Sequence, residues 1–280
     1  MKWIRTAGIV ICVLGLAFAG YRVFTTEKEY IETDNAYDAI AAELVSVKTP
    51  EPKPQTTQQS KTAEEGTDAT PTPTPEAVWE AGLQGIPIGV NFQEAIAEYP
   101  DLCGWLYCEG TPINYPIMQS NEDDDYYLSH LPNGAYARAG SLFLENTTPS
   151  DFSLGNTVVY GHNMKNESMF GSLRRYRQQG YCDEHPTLAL ITPMGEYRLD
   201  VIAAFDTDVN SFVYQPINEW EGTQDFIHAC MDRSEVITFA RAEYDRVVVL
   251  STCSTQEDLR FVVVCGMMTL IEYDDVTDEP

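Results

Sequence analysis

The sequence predicts a β-rich globular domain, either a barrel or a sandwich, with a few helices. Short runs of β-branched and aromatic residues are separated by Gly, Pro, Asn and Asp over the last two thirds of the chain, as in strands joined by turns. One longer amphipathic segment interrupts these runs and predicts a helix. About 200 residues from Ala77 onward are available for a single domain.

The first 25 residues predict a signal-anchor. Lys2 and Arg5 precede an apolar run, Ala7–Gly20, and Arg22 follows it. A basic start followed by apolar residues is typical of an export signal, and with its flanks the run approaches the ~20 residues of a membrane helix. Ala17–Ala19 resembles a cleavage site, but we favour an uncleaved single-pass anchor with its N-terminus in the cytoplasm.

Residues 26–76 predict a stalk followed by a spacer. Apolar residues recur at three- and four-residue spacing within Glu27–Val47, which favours a helix. Lys48–Pro75 is rich in Pro, Thr, Gln and Lys, and such a composition favours an extended spacer without a core of its own. The folded domain then covers residues 77–275, and residues 276–280 form an acidic tail.

The folded domain is expected to open with a short helix and continue mainly in strands. Asn91 is a good N-cap, Phe92, Ile96 and Tyr99 share one face, and Pro100 ends the helix. Eight strands are predicted after it: Ile113–Met118, Ser141–Leu144, Thr157–Tyr160, Thr187–Thr192, Tyr197–Phe205, Val236–Ala240, Arg246–Leu250 and Phe261–Val264.

The longer helix is predicted between the late strands. Asn218 is its expected N-cap, and acidic residues occupy its first turn, where they favour the positive end of the helix dipole. Its buried stripe is expected to comprise Trp220, Ile227, Cys230 and Met231.

The charge of the chain excludes one class of partner. Seventeen Lys and Arg stand against forty-three Asp and Glu, which gives a formal net charge of −26. Binding to a nucleic-acid backbone depends on clustered cations. The sequence therefore predicts no nucleic-acid partner.

The seven cysteines predict neither a zinc site nor a necessary disulfide framework. Cys103 and Cys108 lack the two-residue spacing of zinc-binding pairs. Cys230 and Cys265 lie in apolar segments and are expected to be buried thiols. Cys253 differs from these because it follows a buried strand at the point where the chain enters a loop.

Three chemically reactive side chains are predicted to lie at strand ends. Cys253 follows Arg246–Leu250, Arg260 opens the next strand, and His162 follows Thr157–Tyr160. The set fits acyl transfer, in which a thiolate attacks a carbonyl, an imidazole exchanges protons and a guanidinium stabilises the oxyanion. Taken alone, the residues also allow a buried thiol, a turn histidine and a strand-edge cation.

Several strings resemble the sortases, the cysteine transpeptidases that anchor proteins to Gram-positive cell walls. The core of the resemblance is Asn156–Asn163 (NTVVYGHN), Leu250–Cys253 (LSTC) and Arg260 leading into a Val run. Further strings resemble class B sortases in particular: Gly104–Leu106, Asn114–Ile117, Tyr126–Leu128, Gly140–Phe143 and the helix Asn218–Asp232. The resemblance covers roughly residues 90–275.

The resemblance implies a closed eight-stranded sortase β-barrel, preceded by N-terminal helices and with one longer helix inserted between late strands. It implies that Cys253 is the nucleophile, His162 the general acid and base, and Arg260 the oxyanion-binding or substrate-positioning group. The groove for the sorting signal is implied to include three further residues, Asn114, Tyr160 and Ser251. The family implies no metal ion and no other cofactor.

The implied partners are a sorting signal and an amine. The enzyme would cleave an N-P-x-T or L-P-x-T-G-like signal of a secreted protein after its Thr and form a thioacyl-enzyme. An amine of a peptidoglycan precursor, or a pilin lysine, would then form the new amide at the outer face of the membrane. A cysteine hydrolase that uses water, and a non-catalytic sortase-like binding module, are the two alternatives.

Overall fold

The structure is a computed structural model that describes residues 2–48, 86–238, 243–254 and 258–272. The predicted spacer beyond Lys48 and the predicted acidic tail lie outside the described residues.

The N-terminal part of the chain is one long helix, α1 (Lys2–Leu44), which joins the predicted apolar segment to the predicted stalk. Tyr37, Ile40 and Leu44 are buried against the main domain, because their spacing puts them on one face of the helix. The end of α1 therefore belongs to the folded unit. Over the part of the chain that the structure describes, no helix has an apolar stretch long enough to cross a membrane.

A small antiparallel sheet follows α1. Its strands are β1 (Val45–Val47) and β2 (Ile88–Val90), and beyond them the Lys48 amide donates to the Pro87 carbonyl at 2.8 Å. Lys48 and Pro87, which stand on either side of residues 49–86 in the sequence, therefore lie next to each other.

Eight strands form the main domain: β3 (Leu102–Tyr107), β4 (Asn114–Met118), β5 (Leu142–Phe143), β6 (Asn156–Tyr160), β7 (Thr187–Thr192), β8 (Gly195–Asp208), β9 (Arg246–Cys253) and β10 (Leu259–Glu272). They close into a barrel with the order β10-β8-β7-β3-β4-β5-β6-β9. Neighbouring strands are antiparallel except for the pairs β4–β5 and β6–β9, which are parallel. The predicted β-rich class and eight-stranded barrel are confirmed.

Two short helices accompany the barrel. α2 (Phe92–Glu98) begins after Asn91, whose side chain accepts a hydrogen bond from the Glu94 amide, so the predicted N-cap is confirmed. Ile96, which the sequence places on the packed face of this helix, is exposed. α3 (Gln179–Glu184) lies between β6 and β7 and was not predicted.

The longer helix, α4 (Trp220–Met231), lies between β8 and β9 as predicted. Its N-cap is Glu219 instead of Asn218, and the cap makes no side-chain hydrogen bond. Trp220 was expected to be buried but is 54% exposed, because its indole N–H donates to Asp245 at the surface.

The structure corrects the strand predictions in two places: the described part of one predicted strand is not a strand, and one observed strand was not predicted. Val236–Thr238 is not a strand: Val236 packs into the barrel interior while Ile237 is 76% exposed. The rest of that predicted strand, residues 239 and 240, lies outside the described residues. β3 was missed, because it is buried nearly throughout and shows no alternation of polar and apolar residues.

The side chains of the strands divide into an interior and two covered outer faces. Leu250 and Val159 belong to the interior cluster. One outer face packs against α1 and α2 through residues such as Trp105. The other outer face packs against α4 through residues such as Val249 and Val262.

Candidate active site

The ends of β6, β9 and β10 bring His162, Cys253 and Arg260 together. Tyr160 on β6 pairs with Ser251 on the parallel strand β9, so His162 and Cys253, each two residues later, lie level with each other. Cys253 pairs directly with Arg260 on β10. Because neighbouring strands are about 4.8 Å apart, the histidine and the arginine flank the cysteine on either side.

The side chains of Cys253 and Arg260 lie on the outer face of the barrel. Leu250 and Phe261 point to the interior, and the alternation of side chains along a strand then turns Cys253 and Arg260 outward. Cys253 is exposed, and His162 and Arg260 are half-buried. A substrate can therefore reach the thiol without entering the barrel.

The backbone around His162 holds its imidazole in one tautomer. Nε2 of His162 lies 2.7 Å from the carbonyl oxygen of Leu128, and because a carbonyl can only accept, Nε2 carries the hydrogen. The other ring nitrogen, Nδ1, is then free to exchange a proton. Gly161 allows the close packing beside it, since a Cβ there would lie 2.5 Å from Leu142 Cδ2.

The loop that follows His162 is hydrogen-bonded to β9, the strand that carries Cys253. The side-chain amide of Asn163 donates to the Cys253 carbonyl at 2.7 Å, and the Gly161 amide donates to the Ser251 carbonyl at 3.1 Å. These bonds extend the β6–β9 pairing beyond its last strand residue. They fix the level of His162 relative to Cys253.

The other cysteines of the domain are buried free thiols. Burial raises the pKa of Cys103 and of Cys230 to about 12, and that of Cys182 to about 11. A thiolate is the reactive form of cysteine, so these thiols are poor nucleophiles. Within the described residues, no group of three or more His, Cys, Asp or Glu side chains is arranged to hold a metal ion.

An aromatic wall lies on the outer face and leads to the reactive end of the barrel, the end that carries His162, Cys253 and Arg260. Phe143 stacks on Tyr160 with ring centroids 5.5 Å apart, and Tyr160 stacks on Tyr214 at 6.3 Å. The Tyr214 hydroxyl lies 2.9 Å from Ser251 Oγ, and the Tyr160 hydroxyl donates to the Glu145 carboxylate at 2.7 Å. Two predicted groove residues, Tyr160 and Ser251, are thus brought together near Cys253.

Tyr214 was missed by the sequence analysis. It lies in a short 3-10 helix, Phe212–Tyr214, that follows β8, and only the tertiary structure carries it to β9. Burial raises its pKa, and the hydrogen bond with Ser251 and the nearby charge of Arg260 partly oppose this rise. The phenol is therefore a neutral hydrogen-bonding group beside the reactive residues. The only feature of the sequence that pointed to it was a pair of aromatic residues, Phe212 and Tyr214, in the segment before α4.

Asn114 lies further from this end of the barrel. It lies four residues before Met118, so these two residues are about 13 Å apart along β4. Met118 is level with Phe143 on β5, which pairs with Tyr160. Its side-chain oxygen accepts a hydrogen bond from the Trp105 indole at 2.8 Å. The structure does not bring Asn114 into contact with Tyr160 or Ser251, although it shares the outer face with Met118.

Comparisons with known proteins identify relatives of one kind. No family model matches the chain. Sortase B of Listeria monocytogenes is 34% identical over 160 residues, which cover 56% of this chain and 65% of that relative. Sortase B of Staphylococcus aureus is 27% identical over 173 residues, covering 60% and 70% of the two chains. The match thus spans slightly less than two thirds of the Listeria relative.

The solved structure of sortase B from Listeria monocytogenes is also similar to this chain. Its TM-score is 0.54 and its sequence identity is 30%, and the match covers 62% of this chain and 97% of that one.

Proposed function

The chain belongs to the class B sortase family, and on that premise we propose that it is a cysteine transpeptidase of the bacterial cell surface. Its substrate is a secreted protein with a C-terminal sorting signal of the N-P-x-T or L-P-x-T-G-like kind. Its acceptor is an amine of a peptidoglycan precursor or a pilin lysine. The observation that carries the proposal is the exposed thiol of Cys253 between His162 and Arg260 at the ends of three adjacent strands.

The first step forms the acyl-enzyme. Nδ1 of His162 takes the proton of the Cys253 thiol, the thiolate attacks the carbonyl carbon of the Thr in the signal, and Arg260 stabilises the oxyanion. The amide C–N bond then breaks, and His162 donates a proton to the leaving amine. The products are a Cys253 thioester and the released C-terminal part of the signal.

The second step transfers the acyl group. The acceptor amine attacks the thioester carbonyl and gives up a proton to His162. The C–S bond breaks, a new amide forms and the Cys253 thiolate is regenerated. The hydrogen bond from Nε2 of His162 to Leu128 leaves Nδ1 as the nitrogen that exchanges protons in both steps.

The signal is proposed to lie along the outer face of the barrel. Tyr160, Ser251 and Tyr214 then contact the residues next to the scissile bond. Four residues of extended chain span about 13 Å, which is also the length of β4 from Met118 to Asn114. Asn114 is accordingly proposed to meet the start of the signal.

The apolar start of the chain is proposed to anchor the enzyme in the cell membrane as a single pass, with its N-terminus in the cytoplasm. Leu14, Leu16, Phe18 and other apolar side chains of α1 are exposed, which supports an apolar environment for this end of the helix. The catalytic domain then lies outside the cell, where secreted substrates and wall precursors meet.

Intact-mass analysis tests the function. The full chain in detergent is mixed with N-P-x-T and L-P-x-T-G peptides, with and without triglycine, beside Cys253→Ala and the matched control Cys12→Ser, which removes the exposed cysteine of α1. We expect an adduct with the mass of the N-terminal peptide fragment in the wild type and in Cys12→Ser, and none in Cys253→Ala.

The acceptor then separates the alternatives. A ligated product with triglycine supports a transpeptidase. Release to water alone, with triglycine present, would make the protein a hydrolase. Absence of any adduct from reduced wild-type enzyme with every peptide would overturn the proposed function and favour a binding module.

A further inference from the structure

A charged and polar cluster lies at the mouth of the barrel, directly behind the reactive residues. Arg177 binds Asp206 through two parallel hydrogen bonds of 2.6 and 2.7 Å. The hydroxyl of Ser254 donates to the same carboxylate at 2.6 Å and lies 3.4 Å from the Arg177 guanidinium. Arg177 also binds Glu235 at 3.0 Å. The proposed reaction uses none of these groups.

This cluster contacts the neighbours of two reactive residues at once. Ser254 follows Cys253 in the chain, and Phe261 follows Arg260. The Arg177 guanidinium lies 4.2 Å from the centroid of the Phe261 ring, within the range of a cation–π interaction. One guanidinium therefore contacts the residue that follows the thiol and the residue that follows the proposed oxyanion group.

The helix that carries Arg177 also reaches the third reactive residue. It is a 3-10 helix, Gly171–Arg177, and the Phe170 amide at its start donates to the carbonyl of His162 at 3.0 Å. Seven residues of 3-10 helix span about 14 Å. One end of this helix is thus bonded to the His162 backbone, and the other end is bonded to the β8 and β9 strand ends.

The chemistry of the cluster makes it stiff. A bidentate pair between arginine and a carboxylate fixes both distance and orientation, and the side chains of Arg177 and Asp206 are only 28% and 23% exposed. Burial raises the pKa of Asp206, but the hydrogen bonds from Arg177 and Ser254 outweigh this and lower it below its ordinary value. The carboxylate is therefore charged at neutral pH.

We propose that Arg177 and Asp206 are positioning residues for the transpeptidase reaction, which hold Cys253 and Arg260 in register through Ser254 and Phe261. This inference rests on the proposed function. The residues act through their neighbours and do not contact the substrate. Their loss is expected to misplace the thiol relative to its partners, and a displacement of about 1 Å can cost a reaction on the order of 10²-fold in rate.

Two variants of the full chain test the proposal: Arg177→Lys and Asp206→Asn. Arg177→Lys keeps the charge but removes the planar fork. We expect kcat for peptide transfer to fall on the order of 10²-fold in Arg177→Lys, with KM little changed, because the groove residues are untouched. Asp206→Asn is expected to act in the same direction.

The matched control is Asp200→Asn on the same strand. Asp200 forms a bidentate pair with Arg198 at 2.6 and 3.0 Å, but it pairs with Gly266, far along β10 from Arg260. This variant is expected to lower the melting temperature and leave kcat unchanged. A fall in kcat that follows the melting temperature equally in Asp200→Asn and Asp206→Asn would overturn the positioning role.

A second measurement is independent of peptide transfer. The Ser254 amide donates to the Leu259 carbonyl at 3.0 Å, so its hydrogen exchange reports the β9–β10 strand ends. We expect faster exchange in Asp206→Asn than in Asp200→Asn. Equal exchange in the two variants would overturn the proposal, even if the wild type transferred no peptide and the proposed function had failed.

Discussion

Tyr37 provides the sharpest test of whether the end of α1 belongs to the cooperative folding unit. Its side chain is 4% exposed, and its hydroxyl donates to the carbonyl of Gly140 at 2.6 Å. Ser141 Oγ is 2.9 Å away, but that hydroxyl donates to the carbonyl of His130. Replacing Tyr37 by Phe therefore leaves the Gly140 carbonyl without its donor.

The expected loss follows from this one acceptor. A buried group left without its partner costs about 1–3 kcal/mol of unfolding free energy. For a domain of this size, each kcal/mol lowers the melting temperature by about 2–4 °C. The Tyr37→Phe variant should therefore melt roughly 2–12 °C below the wild type. The ring itself stays in place against Tyr115, since their edge-to-face contact at 5.1 Å needs no hydroxyl.

Thermal unfolding of the full chain in detergent, followed by near-ultraviolet circular dichroism, measures the shift. Tyr136→Phe is the control, because Tyr136 is 73% exposed in the neighbouring loop and should leave the melting temperature within about 1 °C. If Tyr37→Phe melted with the wild type, the end of α1 would not unfold together with the barrel, and the reasoning from burial would be refuted.

Three further predictions concern the reactive end. Arg260→Lys should lower kcat about 10²-fold, because a point charge cannot copy the guanidinium at the oxyanion; near-normal steady-state rates would remove that role. Tyr214→Phe, which loses the hydroxyl beside Ser251, should raise KM roughly 2- to 10-fold with kcat unchanged, and an unchanged KM would place the signal elsewhere. The lowered pKa of Asp206 stabilises the fold above the ordinary value of 3.8 and loses this effect as pH falls through the folded pKa. The stability gap between the wild type and Asp206→Asn, measured by urea unfolding, should therefore close below about pH 3.8; a constant gap would contradict this.

Local signals in the sequence predicted the parts of the fold that depend on local structure. Thr187–Thr192 was predicted with its observed bounds, because prolines at 186 and 193 enclose an apolar run. Asn91 was predicted as an N-cap for the same kind of reason. Trp220 was misplaced because amphipathic spacing does not reveal a surface partner such as Asp245.

The candidate site also has a part that the sequence could predict and a part that it could not. The placement of His162, Cys253 and Arg260 beside one another could be predicted because each adjoins a recognisable strand, and strand ends meet at a sheet edge; their roles were implied only by the resemblance. Tyr214 and Arg177 could not, since each reaches the site through the packing of a 3-10 helix far from the reactive residues in sequence. Contacts of that kind depend on strand register, which periodicity alone does not provide.

The pairing of β1 with β2 determines how much the length of the segment between them matters for stability. The backbones of Lys48 and Pro87 are hydrogen-bonded to each other, so the 38 residues between them in sequence start and finish at neighbouring points. The entropy of closing a loop grows only with the logarithm of its length, so halving this one changes the closure free energy by about 0.6 kcal/mol. Shortening the segment, or inserting a tag into it, should therefore lower the stability of the barrel little and leave the packing of α1 against the barrel unchanged.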